Sequence, residues 1–507
     1  MIKSIRRWIL LLCLCPSLAN AQEPTREDSW LLERDSSTQA VRMTRELTLT
    51  PKASPAPALR YRFLPDDFDL QEGNAMIYYL KALGFLEQSA ARQKLTELYQ
   101  KASDDAKEQE KPIHLVPPYS YLTTAPKDLP IQEVKSYLAL TSFQPPMLEQ
   151  ARRLRSANSD RHIRDQSNPI AYLLPEIQSM RDLARTQSVR CRLAIAESRI
   201  DDAIQILGQQ IAMAHHLGQD DFLVSNLVGV AIFSIAWSDA CHLLEHPDAP
   251  NLYWAFASLP SPVVSTERSS GFERQLLYEQ IKCLREVDES PKPPEYWQTF
   301  LRKFASQAAN LDIPGLPVHD RDDDDSRYLH AVQFVASAYP NAMSYLVDIE
   351  GMKEETIREW PTTQVVIVAA KRYYERVRDE YFKWDYVPLA LAREGMLTEE
   401  SSLAALKNKV GLAGGPAEIF LPAKNAMRAA LGRMQQTVAL IQTVESIRMY
   451  AAKHDGKLPP SLQVTPVPAP HDPVTGQPFS YELRGNTAVL EGAAASTIRY
   501  RFVLRMK

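Results

Sequence analysis

The 507 residues, 45% apolar and 24% charged, carry enough apolar material for more than one core and exclude wholesale disorder. The formal net charge of −4 excludes nucleic acid as a partner class, because phosphate binding requires a basic face. The 36 prolines fall mainly between helical patterns and act there as punctuation.

Residues 1–21 read as a cleaved export signal. Lys3, Arg6 and Arg7 precede a short apolar run, and Ala19-Asn20-Ala21 is a small-x-small cleavage site, so the mature chain is expected to begin at Gln22 in the periplasm or outside the cell. Cleavage removes three cations and no acid, which takes the net charge from −4 to −7. Leucines precede Cys13 and Cys15 where a lipoprotein signal needs a small residue, so lipidation is rejected. The longest apolar run, residues 227–237, has about half the roughly 20 residues of a spanning helix, and no transmembrane span is expected after cleavage.

Residues 22–58 are polar and proline-spaced and read as a flexible lead-in. Residues 59–64 alternate apolar and basic side chains, as in a short strand or extended arm, and Asn74 then caps a helix. Five prolines make residues 111–130 a loop whose tyrosines either line a groove or staple the loop to the surface. Residues 187–260 form an expected hub. Ile200, Ala203, Ile204, Leu207, Ile211 and Ala214 share one helical face, Gly218 ends that helix, and a third helix, residues 220–245, is apolar on every side. Further helices are expected at 263–287, 295–310, 326–347, 354–360, 364–383 and 399–410, with Lys371 and Glu375 as a surface pair. A long helix over 422–453 and strands at 479–483, 488–491 and 497–504, with a Gly485-Asn486 turn, close the chain. The predicted class is mainly α: an irregular multi-helix array (59–415) followed by a small α+β module (416–507).

Candidate chemistry is sparse. His242 and His246 stand four apart on a helix, a spacing that can set two imidazoles on one metal, but Leu243 occupies the position where the zinc-protease pattern requires glutamate. Helix-terminal histidines are the plainer account. Asp320, Asp322 and Asp324 have the alternating spacing of a calcium loop, yet Asp325 and Ala331 replace its glycine and glutamate, and a solvated loop capping the next helix competes. Asp472 either joins a calcium site or fixes its own Asp-Pro turn. Cys191, Cys241 and Cys283 read as buried small hydrophobes, with one disulfide and one free thiol as the alternative. No nucleophile elbow, phosphate loop or dinucleotide fingerprint occurs, so no catalytic residue and no cofactor is assigned.

Three resemblances emerge from particular stretches. Residues 187–217, through Arg199-Ile200-Asp201-Asp202-Ala203-Ile204, resemble one tetratricopeptide-like helix pair, with Ser198 in place of the usual glycine and no second copy to build a solenoid. Gly73-Asn74-Ala75 with Tyr78-Tyr79, Ala249-Pro250-Asn251-Leu252-Tyr253-Trp254-Ala255, and Glu445-Ser446-Ile447-Arg448-Met449-Tyr450 with Asp472-Pro473-Val474-Thr475-Gly476 together resemble a family of predicted exported proteins frequent in planctomycete bacteria. That family implies a compartment and no activity. The C-terminal module is similar to the globular part of type II secretion pseudopilins, although here its helix is internal and amphipathic. The expected function is a non-enzymatic interaction or structural component of the periplasm or cell envelope, with protein partners. The alternative is a hydrolase with its active site on inter-helix loops such as 111–130.

Overall fold

From Val41 to Leu49 the side chains of Val41, Arg45, Leu47 and Leu49 are buried, the period of two that a strand with one covered face imposes. This strand belongs to a computed structural model that describes residues 25–34, 40–84, 90–162, 174–309, 311, 313–319, 321–420 and 423–507. The fold is mainly helical, with a six-stranded sheet. The strands are β1 (Thr25–Glu27), β2 (Trp30–Arg34), β3 (Val41–Leu49), β4 (Gln71–Asn74), β5 (Leu154–Ser156), β6 (Ser480–Arg484), β7 (Thr487–Glu491) and β8 (Ile498–Met506). The large sheet has the order β1-β2-β3-β8-β7-β6, and β4 pairs with β5 separately.

The amino-terminal strands correct the expectation of a flexible lead-in over 22–58. β3 runs parallel to β8 in unbroken register from Val41 opposite Ile498 to Leu49 opposite Met506. The C-terminal hairpin, β6 and β7 around Gly485 with its positive φ, therefore completes its sheet with strands from the other end of the chain. Asp28 and Ser29 both adopt positive φ, as a two-residue turn between twisted antiparallel strands demands. Residues 59–64 form no strand; they lead Phe63, fully buried, onto the ring of Phe256.

By its internal contacts the chain divides into two units. One comprises 11–159, 174–269 and 429–507 and contains both sheets and the hub. Its hub helices are Pro175–Ala196, Ile200–Leu217 and Leu223–Leu244. The first ends in a Schellman motif: Ser198 has φ of 59°, Arg199 N–H bonds Ala194 O at 2.8 Å, and Ser198 N–H bonds Ile195 O at 3.0 Å. Gly218 ends the second helix in right-handed geometry; its bare Cα is required because a Cβ would lie 2.7 Å from Ser265 N. The third helix is longer than its apolar run, because Asn226, Asp239 and His242 continue it. By length and composition it is long enough to cross a membrane, and 78% of its apolar window is buried within the protein. Cys191, Cys241 and Cys283 are all buried free thiols; burial pushes Cys241 and Cys283 up to about 12.

The other unit, whose main part is 270–428, packs Pro294–Gln307, Asp324–Ser344 and Thr362–Phe382 around Trp297, Phe300, Phe304, Phe334, Tyr345 and Tyr374. The helix expected over 263–287 is broken into Glu267–Glu273, Leu276–Gln280 and a 3-10 turn, Lys282–Glu286. Lys371 and Glu375 do not pair. Lys371 Nζ donates to Val287 O at 2.6 Å and Glu375 accepts from the Tyr278 hydroxyl at 2.6 Å, each partner lying on a neighbouring segment.

Candidate functional site

An assembly of buried titratable side chains lies where the amino-terminal strands meet the hub. The turn between β1 and β2 supplies Asp28, and β3 supplies Arg45. The first hub helix presents Ser188 and Arg192 one turn apart, and the second presents Gln210. The third presents Ser238, Asp239, His242 and, at its end, Glu245.

Arg192 grips Asp28 with both terminal nitrogens at 2.8 Å, and its Nε donates to Asp239 Oδ1 at 3.1 Å. Asp239 also accepts from Ser188 Oγ at 2.8 Å and Gln210 Nε2 at 3.1 Å. Asp28 accepts further from Ser238 Oγ and stands 3.0 Å from His242 Nε2. Arg45 Nη2 reaches His242 Nδ1 at 2.9 Å and Glu245 at 3.0 Å. An arginine can only donate, so Nδ1 holds the lone pair and the imidazole proton sits on Nε2, facing Asp28. Both ring nitrogens are thereby committed. The Arg45 guanidinium lies 5.7 Å from the centre of the Trp30 ring, and Trp30 stacks on Trp237 at 5.0 Å.

Three carboxylates meet two guanidiniums here, and the proton affinities of Asp28 and Asp239 separate accordingly. Burial alone would raise Asp28, but Arg192 and His242 overcome it and hold the carboxyl far below the ordinary range. Burial pushes Asp239 up to about 6 against the pull of Arg192, Gln210 and Ser188. Burial, reinforced by Arg45 and Arg192, holds His242 down to about 4 against Asp28. The chemistry available is a fixed network tying the first hairpin to two hub helices.

The residues singled out from sequence spacing do not converge. His246 turns to Ser198 Oγ at 3.2 Å and to the Asp248 amide at 3.2 Å, so His242 and His246 serve different partners. Asp320 lies outside the described residues. Asp322 accepts from His319 N–H, Asp323 caps the helix Asp324–Ser344 through the Ser326 amide at 2.8 Å, and Asp324 pairs with Arg327. Asp472 is buried, with its oxygens taken by the Val474 amide at 2.9 Å, the Ala493 amide at 2.7 Å and Gln436 at 2.8 Å. Among the described residues, no group of three or more His, Cys, Asp or Glu is placed to hold a metal. The 111–130 loop folds into three 3-10 turns that bury Tyr121 against Tyr137.

A second buried pair joins the long C-terminal helix to the segment after the third hub helix. Arg448 and Glu445, both fully buried and 2.9 Å apart, clamp the backbone of the Ala249–Leu252 segment. Arg448 donates to Ala249 O at 2.9 Å and to Thr50 O at 3.0 Å, while Glu445 accepts from Leu252 N–H at 2.8 Å. Sequence reasoning missed Asp28, Arg45, Arg192 and Asp239. Their signal was a charge in phase with apolar neighbours: Arg192 beside Val189 and Leu193, and Asp239 inside an otherwise apolar helix.

No protein-family model, no curated protein and no solved structure matches this chain.

Proposed function

We propose that the chain is an exported, non-enzymatic component of the periplasm or cell envelope that acts by binding other proteins, with the hub as its rigid scaffold. One observation carries this reading. The side chains best suited to acid–base chemistry, Asp28, Asp239 and His242, are consumed by one another and by Arg45 and Arg192. A general base needs a free lone pair within reach of a substrate proton, and the His242 lone pair is taken by a buried cation. Ser238 bonds to Asp28, not to the imidazole, so the trio lacks the order of a nucleophile, base and orienting acid. The basic, apolar and small-residue succession of residues 1–21, together with the resemblance to exported planctomycete proteins, supports the compartment.

The test has two parts. Mass spectrometry of the protein from its native host should find Gln22 as the first residue; an intact Met1 would remove the export reading. His242→Gln retains a donor toward Asp28 and an acceptor toward Arg45. It should leave the melting temperature and the set of bound envelope proteins unchanged. A folded H242Q protein that no longer restores a strain lacking the wild-type copy would instead assign the imidazole a chemical role.

A further inference from the structure

Phe68 is 97% exposed, the most exposed of the large apolar side chains in the described residues. Tyr386 and Leu391, at 75%, come next. A phenylalanine so placed contributes nothing to the core, and the segment that carries it is held on both sides. Phe63, five residues earlier, is fully buried against Phe256, and its carbonyl accepts from Arg152 at 3.2 Å. Asp66 is tied to Arg62 at 2.5 Å and caps the Asp67 amide at 2.9 Å, which fixes the 3-10 turn Asp67–Asp69. Arg155 on β5 holds that turn from below, donating to Asp67 Oδ1 at 2.5 Å and to its carbonyl at 2.9 Å, while its Nε holds Glu72 at 3.0 Å. The Gln71 amide then bonds Arg153 O at 2.8 Å as β4 begins. An exposed aromatic on a pre-organised frame loses little conformational freedom on binding, the property shared by anchor residues at protein interfaces.

We infer that Phe68 is the anchor of a protein-binding surface, inserted into an apolar socket rimmed by lysine and arginine on the partner. The charge around it selects that rim. Asp66, Asp67, Asp69 and Glu72 are all exposed, and among the described residues the cations that bridge to this collar are Arg62 and Arg155. Four carboxylates against two guanidiniums leave the collar negative, which favours a cationic protein surface and opposes an anionic lipid one. The assignment rests on the reading of this chain as a binding component.

The experiment uses the full chain in its native host with the photo-crosslinker p-benzoylphenylalanine in place of Phe68, and in a second strain in place of Leu391. Mass spectrometry then maps the adducts. The expected product at position 68 is a protein adduct on an apolar residue flanked by Lys or Arg. With that partner purified, Phe68→Ala should weaken binding about thirtyfold or more while leaving the melting temperature unchanged. Asp69→Lys should weaken it further, and added salt should weaken the wild-type complex. Adducts at position 68 confined to lipid or to a second copy of the chain, or no adduct there, would overturn the assignment. A protein adduct at 391 alone would leave the binding reading standing without Phe68; no protein adduct at either position would remove both.

Discussion

His216 and His242 set how the fold meets acid. His216 is buried between Tyr79, whose hydroxyl is 2.7 Å from Nδ1, and Leu154 O, 2.9 Å from Nε2. Burial, with His215 alongside, holds it down to about 4, as burial and Arg45 hold His242. Above the ordinary value of 6.5 neither the folded nor the unfolded form carries the proton. Below it the unfolded histidines take up protons that the folded ones refuse, so their contribution to stability is lost as pH falls from 6.5 toward 4. Asp239 works in the opposite sense. Raised to about 6, it holds a proton that the unfolded chain gives up above about 4, so its contribution is present in acid and lost as pH rises through 6. At about 1.4 kcal/mol per unit, each group is worth about 3 kcal/mol over its window, and two histidines outweigh one carboxyl. Thermal melts should therefore fall in midpoint from pH 7 to pH 4, with a shallower fall for His216→Gln. A midpoint that rises on acidification would mean the imidazoles are already charged in the fold. None of this was visible from spacing: His215 and His216 lie at a helix end in the sequence, and only the tertiary packing of Tyr79 and Leu154 decides that the second is buried.

The second hub helix illustrates what periodicity reveals and what it hides. The stripe through Ala203, Ile204, Leu207 and Ile211 is buried as its spacing requires, because a helix at a core has one face to cover. The same pattern treats Gly208 as a neutral defect. In the fold that glycine is where the Phe63 backbone crosses the helix, and a Cβ there would stand 2.7 Å from the Phe63 carbonyl oxygen. The partner lies far upstream in a segment that reads as a short strand, so no local pattern announces the crossing. Alanine in place of glycine ordinarily strengthens a helix by about 1 kcal/mol. Here displacement of Phe63 also disturbs its packing on Phe256 and the Arg152 bond, and overpacking of this kind costs about 1–3 kcal/mol. Gly208→Ala should thus lower the melting temperature, and a higher one would show that the Phe63 segment yields freely. Ser198 teaches the complementary lesson. The sequence marks it as a departure from a glycine position, and the backbone does take the left-handed turn there without the glycine.

At the scale of the whole molecule, the two ends of the described chain share one sheet. The C-terminal strands were legible because alternation and the Gly485-Asn486 turn are local signals. The amino-terminal ones were hidden because polar residues and prolines dominate residues 22–58 and because Arg45 occupies an inward position. The alternation of Val41, Met43, Leu47 and Leu49 was nevertheless present on either side of that arginine. Pairing over nine residues with β8 makes β3 a central strand, and β1 and β2 bring Asp28 and Trp30 onto the hub. A chain lacking residues 22–40 distinguishes a lead-in from a structural part. A lead-in can be removed without effect. A structural hairpin takes with it the carboxylate that Arg192 grips and the ring that stacks on Trp237. Breaking one side of a buried ion pair costs about 3–5 kcal/mol, a large share of the stability of an ordinary domain. The truncated protein should therefore lose the cooperative thermal transition reported by tryptophan fluorescence, or melt far lower. Asp28→Asn in the full chain should show an intermediate loss, since it keeps Trp30 and the strands. An unchanged midpoint for the truncated chain would return residues 22–40 to the status of a dispensable arm and leave β3 to hold β8 unaided.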